Sequence, residues 1–108
     1  MNLEDVNKKL AEIAEELPAK IKEFQRIEYD YEMRYFWLFA HSMASNLAGR
    51  EAEAKLTCKE EGLIEPLQNI RGDVRGLYHK KDCYIAIGSN LRALQIVTER
   101  DAKYERMD

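Results

Sequence analysis

The amino-acid sequence predicts an all-α protein: a helical hairpin or bundle with a long C-terminal helix, completed by oligomerisation. Three observations predict it. Glycine and proline number only 5 and 2 in 108 residues, too few for the turns of a many-stranded fold. Hydrophobic residues make up 45% and charged residues 34%, a balance that suits helices with long solvated faces. Finally, Leu67, Ile70, Val74, Leu77, Tyr84, Leu91 and Leu94 recur at steps of three and four, or sums of such steps, with Ile85 and Val97 beside them. That spacing keeps one face of an α-helix apolar.

A single helical domain, residues 1–108, is expected, with helices at about 3–16, 18–44, 50–60 and 66–104. Asn2 caps the first, and Asp5 three residues on makes a short-armed capping box. Leu3, Val6, Leu10, Ile13 and Leu17 give it an apolar face. Pro18 lacks a backbone N–H, so a break is expected near Leu17. The second helix carries Ile21, Phe24, Ile27, Tyr31, Tyr35 and Leu38 inward. Tyr29, Phe36, Trp37 and Phe39 broaden that face, which predicts burial on more than one side. Phe24, Trp37 and Leu38 are expected in the core. Residues 45–49 read as a turn, and Gly62 as the residue ending the third helix. Pro66 then stands where a first-turn proline would.

The fourth helix would be about 58 Å long at 1.5 Å per residue. No other segment looks long enough to cover it. Its apolar stripe therefore predicts a second copy of the chain, with Leu77, Tyr84, Leu91, Leu94 and Val97 as the interface and a two-fold homodimer as the simplest assembly. Gly72 and Gly76 share a face of this helix and are expected to admit close helix packing.

Net charge is −3, unevenly spread. Residues 1–62 sum to −4, residues 63–100 to +2 and the last eight to −1. Arg71, Arg75, Lys80, Lys81 and Arg92 form the basic set of the long helix. They are the candidate contacts to a phosphate backbone, although the excess is small for a nucleic-acid-binding domain. Two cysteines, Cys58 and Cys83, are fewer than a disulfide scaffold carries. The acidic N-terminal stretch does not read as a signal peptide, and the apolar run Tyr35 to Ala40 is too short to span a bilayer. The expected location is the cytoplasm.

Other motifs read most simply as structure. His79 and Cys83 are one helical turn apart, a spacing that can supply two zinc ligands. A tight site needs further donors, and no metal or cofactor is assigned. The aromatic residues between 29 and 39 could stack on bases. Their neighbours Glu28, Asp30 and Glu32 are acidic, and only Arg34 is basic. No nucleophile–base pair or phosphate loop appears, and no catalytic residue is assigned.

Tyr84-Ile85-Ala86-Ile87-Gly88-Ser89-Asn90-Leu91 resembles the opening strand and loop of the folate-pathway pyrophosphokinases. There it stands near the N-terminus with the substrate- and metal-binding residues after it. Here 17 residues follow Leu91 and the magnesium-binding aspartate pair has no counterpart, so the helical reading is preferred. Leu17-Pro18, Trp37-Leu38-Phe39-Ala40, the turn at 45–49, Arg50-Glu51-Ala52-Glu53-Ala54-Lys55 and the Arg71…Arg75…Lys81-Asp82…Asn90-Leu91-Arg92 helix together resemble small all-helical proteins encoded in phages and prophages. The resemblance implies an accessory protein of the host cytoplasm. It would be non-enzymatic, acting as a homo-oligomer on an unknown phage or host protein, in recombination or replication or by blocking a host factor. The alternative is a nucleic-acid-binding module using the basic face of the C-terminal helix.

Overall fold

The computed structural model describes residues 1–106 and holds three helices among them: α1 (Leu3–Ala40), α2 (Leu47–Glu60) and α3 (Ile64–Arg106). The described residues contain no strand, and Tyr84 to Ile87 lie inside α3. That removes the pyrophosphokinase reading, which needs a strand there.

Local chemistry sets the helix ends. Asn2 and Asp5 bond reciprocally: the Asp5 N–H donates to Asn2 Oδ1 at 2.9 Å, and the Asn2 N–H to Asp5 Oδ2 at 3.1 Å. Two otherwise orphaned donors are thereby satisfied. At α2 the cap is Asn46, whose Oδ1 accepts from the Gly49 N–H at 2.7 Å. The turn expected over 45–49 is thus shorter, and the helix begins three residues before Arg50. Its far end closes on Gly62 at φ 73, which an L side chain would adopt only with strain. The Gly62 N–H donates to the Lys59 carbonyl and the Leu63 N–H to the Cys58 carbonyl, each at 3.0 Å. These paired bonds make a Schellman end.

The break expected near Leu17 is absent: Pro18 lies inside α1. A proline in a helix interior costs about 3 kcal/mol. Apolar packing on the preceding turns, where Ile13 and Leu17 are buried, offsets that cost. The chain does divide at Pro18 in another sense. Its contacts fall into two compact units, Met1–Leu17 with the chain from Gly76 onward, and Pro18–Arg75.

In the first unit Val6, Ile13, Leu17 and Leu77 are buried, and Gly88 sits against Val6. A Cβ built on Gly88 would lie 3.3 Å from Val6 Cγ1, so glycine here permits close approach of α1 to α3. Gly72 and Gly76, expected to admit close helix packing, have nothing of the same chain within 4 Å of a Cβ built on them.

In the second unit Ala54, Cys58, Leu67 and Ile70 form the buried core. Phe24, Ile27, Tyr31, Tyr35 and Leu38 are half-buried around it. Three ion pairs tie its helices: Lys20–Asp73 at 3.6 Å, Glu28–Arg71 at 3.8 Å, and Arg34–Glu61, a two-pronged pair whose Nε–Oε2 distance is 2.9 Å. Trp37 is not in the core, being 52% exposed, and Phe36 is 61% exposed. The reason is geometric. The inward face of α1 runs through Phe24, Tyr31 and Leu38 at seven-residue steps, and Trp37 and Phe36 lie more than about 100° around the helix from it.

Candidate functional site

Among the described residues, each unit exposes an apolar surface. The first lies on α1. Tyr29, Met33 and Phe36 follow at steps of four and three, with Trp37 beside them, and all four are more than half exposed. Phe36 also lines a groove of about 510 Å³ with Tyr35, Phe39, Leu47 and Glu51. Tyr35 organises the cluster, stacking on Tyr31 and Phe39 at centroid distances of 6.1 and 6.3 Å and meeting Phe36 edge-on at 5.7 Å. Burial pushes the Tyr31 and Tyr35 hydroxyls up from the ordinary tyrosine range. The Trp37 ring carries the Arg34 guanidinium 5.0 Å from its centre and stacks on His41 at 4.1 Å. The His41 Nδ1–H donates to the Trp37 carbonyl at 2.8 Å, which holds the imidazole in place.

Arg34 therefore serves two groups: its planar fork holds Glu61 while its face lies over Trp37. The hydrogen bond from Arg34 holds the Glu61 carboxyl below the ordinary glutamate range. A depressed carboxylate pKa adds stability that is full above the unfolded-state pKa and is lost as pH falls through the native one. Acidification from pH 6 to below pH 4 should therefore lower the melting temperature more in the native protein than in Glu61→Gln. Melting curves across that window check it, and equal slopes would show that the pair adds nothing.

The second surface lies on α3, in the other unit. Leu94, Val97 and Tyr104 are 63%, 51% and 67% exposed, and every residue from Arg92 to Asp101 is exposed. The five residues expected to form an oligomer interface divide between two faces. Leu77 is buried, and Tyr84 and Leu91 are half-buried. They share the face of Gly88, which packs on α1 of the same chain. Leu94 and Val97 point elsewhere, because three residues turn a helix by about 300° and the stripe drifts off that face after Leu91. The chain's own first 17 residues share a unit with the face of Leu77, Tyr84 and Leu91, whereas Leu94 and Val97 stay open.

The expected basic set is spread over both units. Arg71 is engaged with Glu28 and lies over Phe24, 5.8 Å from its centre. Arg75 belongs with it to the second unit, whereas Lys80, Lys81 and Arg92 belong to the first. His79 and Cys83 do face one another, Nε2 to Sγ 3.6 Å, and both are exposed. No group of three or more metal-binding side chains surrounds them among the described residues. Cys58 is fully buried, and burial pushes its thiol up. Among the described residues no helix is long and apolar enough to cross a membrane.

With that geometry in view, the chain was compared with protein-family models, curated proteins and solved structures. It matches none of them. The two surfaces are thus read on their own chemistry. Surface aromatics could not be told from core aromatics in the sequence, since both obey the same helical spacing.

Proposed function

We propose that this protein is a non-enzymatic interaction protein that works as a homo-oligomer. The observation that carries the reading is the exposed apolar strip of α3, Leu94, Val97 and Tyr104, on a helix whose other face is already packed on α1. An exposed apolar strip on a helix marks an interaction site or an aggregation liability. Burying it against a second copy removes about 25 cal/mol per Å² of apolar surface from water.

The aromatic face of α1 then remains for the phage or host protein on which an accessory role depends. Tyr and Trp, with Met, are the residue types that carry binding energy at protein interfaces. The phage setting itself rests on the sequence resemblance alone.

Light scattering at tens of micromolar tests the oligomer. A dimer mass is expected for the native protein and a monomer mass for Leu94→Asp, with equal helical content by circular dichroism because Leu94 is exposed in the single chain. A monomer mass for the native protein would end the reading.

Nucleic-acid contact is the second reading. The exposure of Tyr29, Phe36 and Trp37 favours it, because single-stranded bases stack on such rings. Against it stand Asp30 and Glu32 on the flanks of the aromatic face and Glu51 in the groove. Trp37 is the only tryptophan, so its fluorescence reports binding directly. Quenching by a single-stranded oligonucleotide that weakens steeply with salt would favour this reading.

A further inference from the structure

The exposed strip of α3 extends on both sides of Leu94 and Val97 into a regular pattern. Ile87, Asn90, Leu94, Val97, Asp101 and Tyr104 follow at steps of three, four, three, four and three. All six are exposed. The alternation averages 3.5 residues, the repeat of a coiled-coil seam. At 100° per residue the seam lies about 120° around α3 from the face that carries Leu77, Tyr84, Gly88 and Leu91. It is therefore free while α3 packs on α1. One polar group at its edge is satisfied within the helix: the Thr98 hydroxyl donates to the Leu94 carbonyl at 2.9 Å.

The polar members of the seam select its direction. In a parallel, in-register pair each residue faces its own copy, so Asp101 would face Asp101 inside an apolar seam. Two like charges there are unfavourable. In an antiparallel pair centred between residues 95 and 96, the six residues match as three kinds of layer, each formed twice. Leu94 faces Val97 of the second copy, Ile87 faces Tyr104, and Asn90 faces Asp101. The Asn90 side-chain amide can donate to the Asp101 carboxylate, so the one charge in the seam meets a donor. This register uses all six positions.

Resting on the homo-oligomer reading, we propose that the occupant of this surface is the same surface of a second copy, paired antiparallel about residues 95 and 96, with Asn90 and Asp101 setting direction and register.

A charge swap and a distance test it, after light scattering has established the mass of the native protein. Leu94→Asp and Val97→Lys, made singly, should each weaken association at least about tenfold, because each puts a charge against an apolar residue. The double variant Leu94→Asp with Val97→Lys should recover association, since Asp now faces Lys in both central layers. In a parallel pair the same double variant would set Asp against Asp and Lys against Lys and would stay apart. Native Cys83 is exposed and Cys58 is buried, so a nitroxide label goes on Cys83 alone. Antiparallel pairing separates the two labels by about 38 Å along the axis. Parallel pairing keeps them within about 20 Å. A dimer whose double variant recovers and whose labels lie near 38 Å supports the proposal. A dimer with short label distances, or one indifferent to Leu94→Asp and Val97→Lys, overturns this register while leaving self-association standing. A native monomer overturns both.

Discussion

Replacing Ile70 with alanine is expected to lower the stability of the fold by about 2–5 kcal/mol. Ile70 is 3% exposed and sits in the core of the second unit with Leu67, Ala54 and Cys58. Truncation removes three buried carbons and leaves a cavity that rigid helix packing cannot close. Trp37→Ala is the control. A buried tryptophan truncated to alanine costs about 3–5 kcal/mol. Trp37 is half exposed, so its loss is expected to cost about 1 kcal/mol, part of it from the contacts with Arg34 and His41. Urea unfolding of the two variants decides the matter. Equal losses would place the tryptophan in the core after all.

Gly88→Leu is expected to be the other severe change. Even a bare Cβ at this position comes within 3.3 Å of Val6, and a leucine would drive into the buried Val6 side chain. Overpacking of this kind costs about 1–3 kcal/mol, and it exceeds the roughly 1 kcal/mol that replacing a helical glycine returns. Gly72→Ala separates the two terms. Nothing lies within 4 Å of a Cβ there, so only the helix-propensity gain remains and stability should rise by about 1 kcal/mol. Thermal melts should therefore move in opposite directions. A rise for Gly88→Leu would mean that α1 does not approach α3 at Val6.

Much of the architecture was legible because it is written in local chemistry. The Asn2–Asp5 capping pair, the glycine end at Gly62 and the helical identity of Tyr84 to Ile87 all follow from short-range rules. Pro18 misled because a propensity rule met tertiary packing and lost. Trp37 and Phe36 misled for a different reason. Helical spacing says which residues share a face, but only the neighbours say whether that face is roofed. The interface set divides for the same reason: α1 covers the face of Leu77, Tyr84 and Leu91 and leaves Leu94 and Val97 open. The tie between Arg34, Glu61 and Trp37 spans 27 residues of sequence, and no spacing rule reaches that far.

The central claim is that a second copy covers the α3 strip. Amide hydrogen exchange over residues 92–104 measures this most directly. A helical segment exposed all round opens readily, whereas one packed along a seam is protected. At tens of micromolar the native protein is predicted to exchange these amides at least about tenfold more slowly than Leu94→Asp, with residues 64–75 unchanged between the two. Identical exchange over 92–104 in both proteins would contradict the account and leave the strip bare.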